Sequence, residues 1–282
     1  MEYNIKHITR YEFDSPVFLE PHLLRFYPRA NAHCYTKSVG LHITPQPAGQ
    51  NNVLEATGSN ATLCWFENMH RSLEVVAEMN VKMFPCNPFS FLVHPAENVN
   101  LPLKYSSIEK QLLCSALTID PPEISDEIFR RVKEIREYSN NNTVVFLTNL
   151  NNAIAAEFDV RYRDDGPPLS PCETFERREG SCRDLAWLHV SMLRHAGIAS
   201  RFVSGYFYLD AEEPVWELHA WVEAYIPGGG WRGFDPSHGL ACADQHVAIA
   251  ASPFPESTMP VAGSYRGTAK ARLTHQISIL KR

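Results

Sequence analysis

Chemistry in this chain starts at Cys182. The run Glu179-Gly180-Ser181-Cys182-Arg183-Asp184 places a thiol in the first turn of the strongest helical pattern, 181–196, which Gly197 stops. Free backbone N–H groups at a helix start carry partial positive charge and favour a thiolate. The thiolate is the nucleophilic form of cysteine. The same N–H groups are suited to hold the oxyanion of an acyl intermediate. Gly180 permits a tight turn and leaves space beside the sulfur. The other cysteines, at 34, 64, 86, 114, 172 and 242, lack this setting and read as small apolar residues.

A base follows 37 residues later. In the strand pattern 215–226, Trp216, Leu218, Ala220, Val222, Ala224 and Ile226 face one way. Glu217, His219, Trp221, Glu223 and Tyr225 face the other, so His219 lies on the polar face. Asp235 closes the strand Trp231-Arg232-Gly233-Phe234-Asp235, just after the turn Gly228-Gly229-Gly230. Cysteine at a helix start with His and Asp on neighbouring strands suits a Cys–His–Asp triad. His219 would be the base, and Asp235 would fix its tautomer and stabilise the imidazolium. The register carries a condition. A regular four-residue turn over 227–230 pairs Asp235 with Val222, on the wrong face. A one-residue shift or a bulge pairs it with Trp221 or Glu223, and the glycines make that irregularity easy.

Other residues are weaker candidates. Asp184 reads as a cap for Ser181. His189 is seven residues along the helix from Cys182, roughly 10 Å by helical rise, too far to be its base. Tyr162 is a candidate oxyanion donor but more simply a strand aromatic. Trp221 and Tyr206 read as wall and core.

The positioning elements show in the periodicity. Tyr3, Ile5, His7, Thr9, Tyr11 and Phe13 alternate with polar residues, as a strand with one buried face does. Val39, Leu41 and Ile43 repeat the pattern, as do Val75, Ala77, Met79, Val81 and Met83. Segments 54–57 and 62–66 flank the hairpin signal Gly58-Ser59-Asn60. Pro85, Pro88, Pro95 and Pro102 then punctuate an aperiodic connection. From 120 the pattern changes. Asp120-Pro121-Pro122-Glu123 reads as a helix start, with Ile124, Ile128, Val132 and Ile135 as its stripe. Helices are expected over 143–157 and after the capping box Ser170-Pro171-Cys172-Glu173, and strands at 199–209, 215–226 and 231–235. The expected class is α+β: an N-terminal antiparallel β-sandwich over 1–105, then an α+β core with C-terminal strands over 106–282.

The 282 residues carry 26 Lys plus Arg against 32 Asp plus Glu, a net charge of −6. That argues against a general nucleic-acid binder. No run approaches the roughly 20 apolar residues that span a bilayer. The first residues show neither the basic nor the apolar part of a signal peptide. Seven scattered cysteines fit reduced thiols better than a disulfide framework. A cytoplasmic location is expected. CxxC and HExxH are absent, as are a calcium loop and a Gly-rich phosphate cradle, so neither metal nor cofactor is expected.

These residues carry a family resemblance. The runs Gly180–Asp184, Leu193–Tyr206, Leu218–Tyr225 and Gly230–Pro236 are similar to the core of bacterial transglutaminase-like proteins. His22-Leu23-Leu24-Arg25-Phe26-Tyr27-Pro28-Arg29 resembles the β-rich domain that precedes this core. The resemblance implies a papain-like α+β core with Cys182 as nucleophile, His219 as base and Asp235 as orienting residue. The family often has Asn where this chain has His238, and Pro where it has Ser200. Neither is expected to touch the triad, though His238 is expected to alter substrate contacts near Asp235.

The expected function is acyl transfer from a peptide, protein or small amide substrate through a thioester. Protease, amidase and transglutaminase remain open, with a mild edge to hydrolysis because water is always present. One alternative uses the same triad to move an acyl group from coenzyme A to an amine. Another is a non-catalytic peptide-binding scaffold with a relic triad.

Overall fold

The computed structural model describes residues 1–119, 125–163, 166–209, 212 and 214–282. The helix-start signal at 120–123, with Ile124, lies outside the described residues. The N-terminal alternation becomes strands β1 (Glu2–Leu19), β2 (His22–Leu24), β3 (Cys34–Thr44), β4 (Gly49–Leu54), β5 (Asn60–Trp65) and β6 (Met69–Met83). Period two sends Tyr3, Ile5, His7, Thr9 and Phe13 of β1 to one buried face. From β6, Leu73, Val75, Ala77, Met79, Val81 and Met83 join them. The β4–β5 hairpin turns at Gly58, whose φ of +78° suits a residue without Cβ.

Next come the short helices α1 (Ser107–Leu112) and α2 (Cys114–Leu117), then α3 (Asp126–Tyr138), α4 (Thr143–Glu157), β7 (Asp159–Val160), α5 (Pro171–Arg177), β8 (Glu179–Gly180) and α6 (Cys182–His195). Ser125 caps α3 by accepting from the Ile128 N–H, and Ile128, Val132 and Ile135 form its buried stripe. The sheet of the core consists of β9 (Ser200–Leu209), β10 (Val215–Ile226), β11 (Gly230–Asp235), β12 (Leu240–Ala241) and β13 (His246–Ser252). Its order is β12-β11-β10-β9-β13, antiparallel throughout. Ala220, Val222, Ala224 and Ile226 of β10 share an apolar cluster with Leu185, Leu188 and Met192 of α6. This packing fixes the start of α6 over β10, and burying each such Leu fully is worth about 1.5–3 kcal/mol.

The last strands return to the first. β14 (Val261–Ala262) pairs with β2, and β15 (Tyr265–Arg266) and β16 (Ala271–Lys281) pair with β1. The β1–β16 register runs from Tyr3↔Lys281 to Phe13↔Ala271. The two N-terminal sheets are therefore β16/β15-β1-β6-β3 and β14-β2-β5-β4. A split at residue 105 gives all of 106–282 to the second unit, whereas residues 261–281 complete the sheets of the first. The physical reason is the length of β1: an 18-residue strand paired only with β6 would present a long open edge. Tyr206, Tyr208, Val247 and Ile249 of the core sheet also pack into the N-terminal apolar cluster, so the two units share an apolar interface. Among the described residues, no helix is long and apolar enough to cross a membrane.

Candidate active site

Cys182 is the first residue of α6 and is partly exposed. The carboxylate of Asp184 fixes the approach to the helix. Its Oδ2 accepts from both the N–H and the hydroxyl of Ser181, each at 2.7 Å. Its Oδ1 accepts from the Leu169 N–H at 2.7 Å and from Arg163 at 2.6 Å. Asp184 is buried, and its bonds to Arg163 and Leu169 tie those two residues to the start of α6. A Cβ on Gly180 would stand 2.8 Å from Asp184 Cβ. The space that glycine leaves is filled by Asp184, not kept beside the sulfur.

His219 and Asp235 meet through the irregular turn. Ile226 pairs with Gly230 and Val222 with Phe234, so the loop holds three residues, 227–229. Continuing that register puts Asp235 opposite Trp221 and diagonal to His219. Gly228 and Gly230 take φ of +79° and +70°, which L side chains avoid. The Pro-rich connection clamps the turn. His94 N–H donates to Pro227 O at 3.0 Å, and a Cβ on Gly228 would lie 2.4 Å from Leu92 O.

His219 Nε2 lies 2.9 Å from Asp235 Oδ2, and both side chains are fully buried. Its other nitrogen, Nδ1, lies 2.9 Å from Glu217 Oε1, and the Cys182 thiol lines the same cleft. Burial alone would pull the imidazole pKa down. The charge and hydrogen bond of Asp235, with Cys182 and Glu217, outweigh burial and hold it well above its ordinary value. Burial likewise pushes Asp235 up, but the charge and hydrogen bond of His219, with those of two further histidines, hold it well below the usual carboxylate range.

Those histidines are His238 and His246. His238 Nδ1 lies 3.0 Å and His246 Nε2 3.1 Å from the same Oδ2, while Oδ1 accepts from the Ser237 N–H at 3.0 Å. His238 was legible as a departure at the end of the family motif, but the expectation that it does not touch the triad is overturned: three residues after Asp235, it turns back onto that carboxylate. His246 was missed, because it enters from β13, outside every motif. Glu217 was named only as a neighbour on the polar face. Glu217, His219 and His238 each bring one possible metal-ligand atom within 4.8 Å of the others, the grouping of that kind among the described residues. A cation there would engage the His219 imidazole that also holds Asp235.

The remaining candidates sort by position. His189 is buried with neither ring nitrogen hydrogen-bonded, and burial drops its pKa to about 3. Trp221 packs with Val203 and Ala251, and Tyr206 is core. Tyr162 is exposed at the rim, its hydroxyl 3.1 Å from His275 Nε2. Cys182 and His219 open onto a cleft of about 520 Å³. Arg161, Tyr162 and Arg183 line one part of it; Met259, Pro260 and His275, from the returning chain, line another.

Comparison with known proteins places this geometry. Residues 130–236, which hold Cys182, His219 and Asp235, match the transglutaminase-like superfamily core. Residues 3–82 match the bacterial transglutaminase-like N-terminal region. The chain joins a transglutaminase-like core to a bacterial transglutaminase-like N-terminal region. Relatives include an uncharacterized protein of Mycobacterium tuberculosis, 24% identical over 264 residues, which cover 88% of this chain and 82% of that one. A protein-glutamine gamma-glutamyltransferase of Pseudomonas aeruginosa is 36% identical over 76 residues, covering 24% of this chain and 11% of that one. A crystal structure of a Cytophaga hutchinsonii protein, provisionally described as a cysteine protease, superposes with a TM-score of 0.72 at 19% identity. That match covers 100% of this chain and 91% of the other, and it shows the shared fold.

Proposed function

We propose that this protein is a cysteine-dependent acyl-transfer enzyme that opens amide or peptide bonds through a thioester on Cys182. The observation that carries the reading is the buried 2.9 Å contact of His219 with Asp235, on a ring that shares a cleft with the sulfur at the start of α6. In the first step the Cys182 thiolate attacks the carbonyl carbon and the oxygen becomes an oxyanion. The free N–H groups of the first turn of α6 are the nearby donors for it. The intermediate collapses to a thioester as the C–N bond breaks, and the His219 imidazolium gives its proton to the departing amine. Neutral His219 then takes a proton from water or from an acceptor amine, whose attack breaks the C–S bond. Water gives hydrolysis and an amine gives transamidation; the same groups serve both. Asp235 stays ionised throughout and keeps the ring oriented.

Limiting iodoacetamide at about pH 6.5, below the reference thiol pKa, followed by peptide mapping, tests the reading. Cys34 and Cys64 are buried thiols whose pKa burial pushes up to about 11, and burial also raises Cys86 and Cys242. Exposed Cys114 is the internal comparison. Labelling should concentrate on Cys182 and fall in His219→Ala. Labelling of Cys114 ahead of Cys182 would favour the scaffold alternative.

A further inference from the structure

A second cavity, of about 390 Å³, lies between the core sheet and the N-terminal segments 29–33 and 83–88. It shares no lining residue with the cleft at Cys182. Three arginines line it, Arg29, Arg201 and Arg232, with the carboxylate of Glu223. Two of the three are engaged. Arg201 donates through Nε to Glu223 Oε2 at 2.6 Å and lies over the Trp231 ring at 4.0 Å. Arg232 donates through Nε to Gly229 O at 2.8 Å and lies over Phe91 at 4.7 Å.

Arg29 stands apart. It ends the His22–Arg29 motif, which the chemistry at Cys182 does not use. Its side chain is 19% exposed, and its contact with Glu223 Oε2 is 3.8 Å, too long for a hydrogen bond. A guanidinium carries five N–H donors in a fixed planar fork that matches a carboxylate or a phosphate. Burial first, then the charge of Arg201, lowers its pKa, and Glu223 only partly opposes them. Asp244, close enough to act on Cys86, is a further carboxylate nearby; counting it still leaves three positive groups against two negative. His246 also lines the cavity, but its Nε2–H is given to Asp235, so its unpaired Nδ1 is an acceptor and offers an anion nothing. The cavity therefore combines excess positive charge with the guanidinium donors of Arg29.

We propose that this cavity binds a small oxyanion, a carboxylate or a phosphate group, held by the guanidinium of Arg29 with Arg232 beside it. The site is independent of the acyl-transfer reading. An anion entering here would take hydrogen bonds that water now supplies and would offset the repulsion between Arg29 and Arg201.

Calorimetric titration of the full chain with inorganic phosphate, and separately with succinate, tests the proposal, with sodium chloride matching ionic strength. Binding of phosphate alone assigns a phosphate ligand, of succinate alone a carboxylate ligand, and of both the shared chemistry. Arg29→Gln should weaken the binding about tenfold or more, the equivalent of about 1.4 kcal/mol, and Arg29→Lys should weaken it less. Cys86 lines the same cavity, so the bound anion should slow its alkylation by N-ethylmaleimide in the unaltered protein. That measurement decides the matter if Arg29→Gln does not fold. Absence of binding at millimolar concentration, unchanged affinity in Arg29→Gln, or an unprotected Cys86 would overturn the proposal.

Discussion

Replacing Asp235 by Asn should change not only stability but the sign of its dependence on pH. The experiment belongs in a Cys182→Ser background, which keeps the sulfur's own proton out of the count. In that parent, folded His219 stays protonated well above its unfolded pKa of about 6.5. Its contribution is whole below pH 6.5 and is lost as pH rises toward the folded value. With Asn at 235 the main counter-charge is gone, burial outweighs the smaller pull of Glu217, and the folded ring is neutral. The unfolded chain then binds a proton that the native state does not, and stability rises with pH up to about 6.5. The gap between the two proteins therefore closes by about 1.4 kcal/mol per pH unit, or roughly 4 kcal/mol from pH 5 to pH 8. Asp235 is itself held well below the usual carboxylate range, so its stabilising charge is lost only in stronger acid. His7 and His189 are buried in both proteins and cancel in the difference, and His246, already lowered by burial, adds little to it. Urea unfolding at pH 5, 6, 7 and 8 gives the gap. A double variant that folds at pH 8 but not at pH 5 has the expected sign. A constant gap, or one that widens with pH, would show that His219 is neutral in the fold and would refute the ion-pair account.

Gly180→Ala should lose about 1–3 kcal/mol in urea unfolding and slow Cys182 alkylation, because the added methyl meets Asp184 Cβ at 2.8 Å. Gly205→Ala should lower the melting temperature sharply, since its Cβ would stand 2.3 Å from Val247 O and 2.5 Å from Trp221; an unchanged melt would mean the β9–β13 spacing is wrong. His246→Leu removes one donor from the Asp235 carboxylate and should lower turnover on the order of tenfold, while His246→Gln, which keeps a donor, should lose less. Deleting residues 268–282 bares the β1 edge, and size-exclusion chromatography should then report association or aggregation.

Much of the candidate site could be read along the chain, because its three residues sit at element boundaries with strong local signals. Cys182 follows a glycine at a helix start, and His219 and Asp235 bracket a hairpin. The turn is a case where local grammar alone pointed the wrong way. The regular count faced Asp235 away, and only the observed three-residue loop brings it to His219. Period-two alternation identified β1, β3 and β6, since each has one buried face. It could not show what pairs with β1, because pairing is non-local: eleven residues of β16, more than 250 positions away, complete that sheet. His246 was hidden for the same reason, lying on a strand whose neighbour β9 is some forty residues upstream. Asp184 was read correctly as a cap, but its bonds to Leu169 and Arg163 are tertiary and left no trace in spacing.

The loop of three residues between β10 and β11 has a hereditary consequence. Because side chains alternate with a period of two, adding or deleting one residue there rotates every β11 side chain to the opposite face. Asp235 would then turn toward the apolar layer beneath α6 and leave three imidazoles without their shared acceptor. A change of two residues would restore the facing but shift Asp235 along β10, away from the ring. Among descendants of this chain that keep its chemistry, the separation of His219 from Asp235 should therefore be fixed at its present value, while surface hairpins such as β4–β5 drift freely in length. Gene-length variation, sampled hairpin by hairpin, would make this constraint visible without any assay of the protein.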